Sequence, residues 1–102
     1  MNTVRFTPMA NESLLSIGKF IATEERDLET ALTFIDKVET TCQQVALFPE
    51  MGVARPALGE GVRCFFVYDY VVIYLPEQKG IAILEVVHSS RDIEEGYRDL
   101  FH

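Results

Sequence analysis

The 102 residues suffice for one domain with a hydrophobic core, and we predict a single domain over residues 1–102. A hydrophobic share of 48% is typical of globular proteins and excludes an intrinsically disordered chain. No apolar run reaches the about 20 residues that a membrane-spanning helix needs. The net charge of −7 argues against strong nucleic-acid binding by the chain alone.

The first half of the chain predicts a short strand followed by two helices. Residues 3–7 alternate weakly, as a strand does. Thr7 followed by Pro8 is typical of a helix start, because threonine caps a free backbone N–H and proline has none to leave unpaired. Asp27 is a suitable cap for a second, longer helix with apolar residues at i, i+3, i+4 spacing. Pro49 ends this helix, so we expect an antiparallel αα-hairpin.

The second half predicts a loop and then a sheet. Two prolines and three glycines mark residues 49–61 as a loop. The runs "VRCFFVY", "YVVIYLP" and "IAILEVVH" predict three strands joined by short turns, hence an antiparallel meander. We therefore predict a two-layer α+β domain of order β-α-α-β-β-β, with the first strand in the same sheet. A short helical tail is expected after the last strand.

The alternation of side chains predicts which strand residues face the helices. In the middle strand the purely apolar set is expected to face the helices; it comprises Val71, Ile73 and Leu75. The alternating set is expected to face away from them; it comprises Tyr70, Val72 and Tyr74. A two-residue turn pairs Val67 with Tyr70 and so places Arg63 opposite Tyr74. The next turn pairs Pro76 with Ile81 and so places Glu85 opposite Val72. Arg63, Tyr74 and Glu85 are then expected to share the face that points away from the helices.

Neither cysteine has the spacing of a metal site. Cys42 and Cys64 lie in predicted elements, and no signal peptide is visible. We expect both to be reduced, buried thiols of a cytoplasmic protein without a metal or another cofactor.

An ordered set of motifs resembles the ParE/RelE toxin superfamily, and is most similar to ParE. In chain order these motifs are Ala10 with Leu14, Leu47, Pro49 with Gly52, Gly61-Val62-Arg63, Ile73-Tyr74, and Val86-Val87-His88. Each piece is short, but their order and spacing cover nearly the whole chain.

The resemblance implies the toxin of a bacterial type II toxin–antitoxin pair, of the kind that stabilises plasmids. A ParE-like toxin binds and inhibits DNA gyrase without an identified catalytic residue. A small ParD-like antitoxin neutralises it and can assemble it into oligomers. Candidate contacts with the target or the antitoxin are Arg55, Arg63, Tyr74, Glu85, His88 and Arg91.

Two alternatives remain at this stage. A RelE-like toxin cleaves mRNA on the ribosome, a reaction that needs a base, an acid and charge stabilisation of the phosphate. In that case Arg63, Arg91 and Tyr97 would be the catalytic residues. The second alternative is an inactive or weakly toxic module that only binds the antitoxin. It rests on the acidic composition and on Leu75 and Glu85, which stand where related toxins commonly have arginine.

Several candidates also have a structural interpretation. Arg63 can lie over Tyr74 toward Glu85 rather than contact a target. His88 is either a general base or a strand-end histidine held by hydrogen bonds. The stretch "SSRD" after it is typical of a local cap, or is a contact with a partner. The exposed side of the αα-hairpin is a candidate docking surface for an antitoxin helix.

Overall fold

The computed structural model describes residues 2–90, which form two helices on one side of a five-stranded sheet. The elements in chain order are β1 (Thr3–Phe6), α1 (Pro8–Glu24), α2 (Leu28–Leu47), β2 (Val53–Ala54), a 3-10 helix (Pro56–Leu58), β3 (Arg63–Val67), β4 (Tyr70–Glu77) and β5 (Gly80–His88). The predicted α+β architecture is confirmed. The structure adds β2 and the 3-10 helix within the predicted loop. The predicted tail lies outside the described residues.

Both helices begin at the predicted caps. The Thr7 hydroxyl accepts a hydrogen bond from the Ala10 N–H at 3.2 Å, and Pro8 occupies the first turn. The Asp27 carboxylate accepts from the Thr30 hydroxyl at 2.6 Å and from the Thr30 N–H at 2.9 Å, and these two bonds lower the pKa of Asp27. The second helix ends at Leu47, two residues before the proline that predicted its end. Neither helix of the described chain is long and apolar enough to cross a membrane.

The sheet has the strand order β1-β5-β4-β3-β2. The three long strands form the predicted antiparallel meander, and β2 extends it along the outer edge of β3. The first strand joins the sheet as predicted and runs parallel to β5, from Thr3 opposite Gly80 to Phe6 opposite Ile83. A Cβ atom on Gly80 would collide with the Thr3 backbone, and its φ of 148° suits glycine, so β1 packs there only against glycine.

The predicted register is confirmed as far as the middle of β5 and wrong beyond it. Val67 pairs with Tyr70, Arg63 with Tyr74, and Pro76 with Ile81, as expected. However, Glu85 lies opposite Ile73 rather than Val72. A bulge separates the pairs at Ile73 and Tyr74, and it leaves Leu84 as an extra residue of β5.

The predicted faces of the sheet are wrong, because they are exchanged. The larger core, beneath the helices, contains Val72 and Tyr74 with Tyr70 at its margin. The opposite face carries a second apolar cluster formed by Leu58, Val62, Cys64, Val71, Ile73 and Val87, with Leu75 and Leu84 against it. Leu58 of the 3-10 helix and Val62 of the segment after it pack in this cluster, so the second face is also buried by apolar side chains. Alternation of apolar and polar residues therefore could not distinguish the two faces.

Candidate functional site

The hydroxyl group of Tyr74 holds the loop that follows α2. It donates a hydrogen bond to the Pro49 carbonyl at 2.8 Å and accepts one from the Gly52 N–H at 2.9 Å. The ring is fully buried. Burial raises the pKa of Tyr74 more than the Gly52 amide and the Arg63 charge lower it. The hydroxyl therefore stays protonated and able to donate.

Arg63 holds the same loop from the neighbouring strand. Its Nη1 donates to the carbonyl oxygens of Glu50 and Gly52, at 2.9 and 2.7 Å. A Cβ atom on Gly52 would collide with the Tyr74 hydroxyl, so the loop can approach this closely only with glycine there. We call this pair, Arg63 and Tyr74 with the loop 49–52, the loop anchor. It gives the proline–glycine and tyrosine motifs one common structural role.

Arg55 lies beside the loop anchor on the outer edge of the sheet. It follows Ala54, which pairs with Arg63, and its Nε donates to the Cys64 sulfur at 3.4 Å. Its backbone N–H donates to the Val62 carbonyl at 2.8 Å. The structure thus brings Arg63 and Tyr74 together at the loop, whereas the Arg55 side chain bonds Cys64, which belongs to the apolar cluster on the opposite face of the sheet.

Glu85 lies apart from these residues, which corrects the predicted outward position beside Arg63 and Tyr74. Its side chain is only 5% exposed. The carboxylate accepts hydrogen bonds from the Ser13 hydroxyl of α1 and from the Val86 N–H, the latter at 2.9 Å. The exchange of the two faces is the physical reason, because Glu85 lies two residues after Ile83, which packs in the core beneath the helices. The role of Ser13 as the partner of Glu85 was not predicted, because the sequence around Ser13 gives no indication of a partner 72 residues away.

His88 is exposed at the end of β5 and is held locally. Its Nδ1 lies 2.7 Å from the Ser90 hydroxyl and accepts from the Ser90 N–H at 3.1 Å. The ring stands edge-on to Tyr70, with 5.1 Å between the centroids. These contacts agree with the structural interpretation of His88 as a strand-end residue. The remaining candidates, Arg91 and Tyr97, lie outside the described residues.

A groove that the sequence reasoning missed lies at the tip of the helical hairpin. It has a volume of about 780 Å³. We call it the tip groove; its lining comprises Phe20, Ile21, Glu25, Asp27, Glu29, Thr30, Thr33, Phe34, Tyr68, Asp69, Tyr70, His88 and Ser90. The sequence signals for it were Phe20 and Tyr68, two large side chains at positions that a helix and a turn leave exposed.

The two cysteines are free and buried. Burial raises the pKa of the Cys42 thiol to about 12, and the Glu39 carboxylate adds to this. The thiol is therefore protonated and unreactive at neutral pH. Within residues 2–90, no group of three or more His, Cys, Asp or Glu side chains is arranged to hold a metal ion.

Comparison with known proteins agrees with this fold and motif set. A family model described as the ParE toxin of the type II toxin–antitoxin system parDE matches residues 4–93, nearly the whole chain. The chain belongs to the ParE toxin family.

One solved structure similar to this ParE chain is that of the chromosomal ParDE toxin–antitoxin system from P. aeruginosa. The two share a TM-score of 0.68 at 20% sequence identity, over 86% of this chain and 96% of that one. A likeness at this identity supports the ParE-like fold. A search of curated protein sequences found no match. The resemblance inferred from the ordered motifs is therefore confirmed at the level of the family.

Proposed function

We propose that this ParE toxin acts by binding and inhibiting DNA gyrase, and that a ParD-like antitoxin neutralises it in the cytoplasm. The observation that carries the proposal is the family match over residues 4–93. The loop anchor supports it, because Arg63 and the Tyr74 hydroxyl are engaged with backbone groups of residues 49–52. Their polar atoms maintain a surface loop, which favours a binding toxin over a nuclease that uses Arg63 in catalysis.

A supercoiling assay tests the target. Purified chain is titrated into gyrase, ATP and relaxed plasmid, and we expect dose-dependent loss of supercoiling. The test variant is Gly52→Ala, which we expect to disrupt the loop and weaken inhibition. Full supercoiling at a large molar excess of a chain shown to be folded by circular dichroism would contradict the proposal.

The ribonuclease alternative is tested on translating ribosomes. We expect mRNA to stay intact, whereas a RelE-like enzyme cuts it within the ribosomal A site. If cleavage is seen, Arg91→Ala and Tyr97→Phe identify its residues better than Arg63→Ala, because the last change also releases the loop. Cleavage by the wild-type chain that these variants abolish would replace the gyrase proposal.

Growth experiments separate an active toxin from a module that only binds the antitoxin. Expression of the chain alone should arrest growth and induce DNA-damage signalling. Co-expression with a small adjacent reading frame should restore growth and yield a co-purifying complex. A complex without any effect of the lone chain on growth would favour the binding module.

A further inference from the structure

The tip groove has an aromatic floor and two exposed aromatic walls. Phe34 is 2% exposed and lies 4.9 Å from Tyr70 and 6.4 Å from Tyr68, measured between ring centroids. Tyr68 of the β3–β4 turn is 64% exposed and Phe20 of α1 is 54% exposed. Both therefore present ring surface to an incoming group, and aromatic surface of this kind is what protein partners most often use as an anchor.

The charges around these rings have one sign. The groove lining includes the carboxylates of Glu25, Asp27, Glu29 and Asp69 and, among the residues described, contains no lysine or arginine. None of the four forms an ion pair with a cation of residues 2–90. Arg26 is adjacent in sequence but is not part of the lining. Burial, followed by the charges of Glu25 and Asp69, raises the pKa of Tyr70, which lies on the floor of the groove.

We propose that the tip groove binds an arginine- or lysine-bearing segment of a partner protein. A guanidinium or ammonium group is attracted to an aromatic face, and a carboxylate accepts its N–H groups. The tip groove offers both at one place. A volume of about 780 Å³ accommodates several side chains of such a segment. The net charge of −7 also steers a cationic segment toward this chain.

The structure also indicates where apolar residues of the segment would lie. A second groove of about 570 Å³ runs between α1 and β5 and shares Phe20, Tyr70 and His88 with the tip groove. Met9 and Ile17 of α1 line it. A segment with a cationic residue at the tip can therefore place an apolar neighbour along α1. This predicts a partner sequence that alternates basic and apolar residues, in contrast to a uniformly basic one.

The proposal is tested by binding of matched peptides to the full chain. The probe is a fluorescent nine-residue peptide, Ala-Leu-Arg-Ala-Leu-Arg-Ala-Leu-Ala, and its control replaces both arginines by the isosteric, neutral citrulline. We expect saturable anisotropy for the arginine peptide and at least about tenfold weaker binding of the citrulline peptide, since charged hydrogen bonds are the strong ones. Equal affinities, or no binding of the arginine peptide at millimolar chain, would overturn the proposal.

Substitutions locate the binding and need no knowledge of the toxin's target. Glu29→Gln and Asp69→Asn each remove one groove charge and keep the side-chain shape, and neither residue caps a helix. We expect each to weaken binding of the arginine peptide by up to about fivefold, the range of an exposed charge pair. Glu60→Gln, an exposed site outside the groove, should leave binding unchanged. Binding that is insensitive to the groove substitutions, or spermine competing as well as the peptide, would overturn the assignment.

Discussion

Tyr74 shows how a side chain in a recognisable motif can serve the loop beside it. Its pairing with Arg63 followed from strand register, because turn length sets the pairing of adjacent strands. Its bonds to Pro49 and Gly52 did not follow, since a side chain that reaches backbone groups 22 and 25 residues away leaves no periodic pattern. The sequence thus predicted that Tyr74 pairs with Arg63, but it did not predict that the Tyr74 hydroxyl holds the loop 49–52.

Removing the Tyr74 hydroxyl should destabilise the fold. Tyr74→Phe leaves the Gly52 N–H without that partner, and we expect a loss of about 1–3 kcal/mol in the free energy of unfolding. Urea denaturation followed by circular dichroism measures the loss. The control is Tyr68→Phe, at an exposed ring, which should change stability by less than about 0.5 kcal/mol. Equal stability of Tyr74→Phe and wild type would show that the hydroxyl does not hold the loop.

Glu85 was expected at the surface, where an arginine would restore the residue common in related toxins. The structure instead places it against Ser13 of α1, with 5% exposure. We now expect Glu85→Arg to cost about 3 kcal/mol or more, because it buries a cation without an acceptor for its N–H groups. Glu85→Gln keeps an acceptor oxygen and should cost about 1 kcal/mol. Chemical denaturation compares them, and an arginine variant as stable as the glutamine variant would contradict the buried position.

At the scale of elements, the helices were predictable and the sheet only in part. The caps at Thr7 and Asp27 act within three residues, so their sequence signals are local and sufficient. The two-residue β2 is too short to show alternation, and it forms because β3 offers a free edge. The bulge at Leu84 has no local signal either, since it depends on how β4 and β5 pair. Elements set by distant partners are the ones that the sequence pattern did not reveal.

Thr7 joins the start of α1 to this bulge, so its removal should affect both. The hydroxyl accepts from the Ala10 N–H and donates to the Leu84 carbonyl, each at 3.2 Å. We expect Thr7→Ala to lower the free energy of unfolding by about 1–2 kcal/mol. Thr7→Ser retains the hydroxyl and should recover most of the loss. Thermal unfolding monitored by helical circular dichroism measures both, and a serine variant no better than alanine would exclude the hydroxyl as the cause.

At the scale of the whole molecule, two apolar clusters on opposite faces of the sheet bury several ionisable groups. Cys42 and Tyr74 lie in the larger cluster, and burial raises the pKa of each. As the pH rises, groups of this kind release their proton at a higher pH in the folded state than in the unfolded state. Alkaline pH therefore acts against folding.

The dependence on pH can be followed at Cys42. Below pH 9.0 both states hold the thiol proton, so its contribution to stability is complete. Between pH 9 and about 12 the unfolded chain releases the proton first, and the free energy of unfolding falls by up to about 1.4 kcal/mol per pH unit. Urea titrations at about pH 8, 9 and 10 should show this decline, and Cys42→Ala should flatten it despite a lower stability from the lost volume. An unchanged slope in the variant would exclude Cys42 as its source.

The pairing of β1 with β5 also affects how the toxin is made. Thr3 pairs with Gly80, which lies 77 residues later in the chain, so β1 cannot pair within the sheet until β5 has been synthesised. A nascent chain on the ribosome can form its helical hairpin early but cannot complete the sheet, because β5 lies between β1 and β4. Assembly of the sheet is thus delayed until β5 has been translated, and a transcript truncated before β5 yields a chain without the strand that joins β1 to β4.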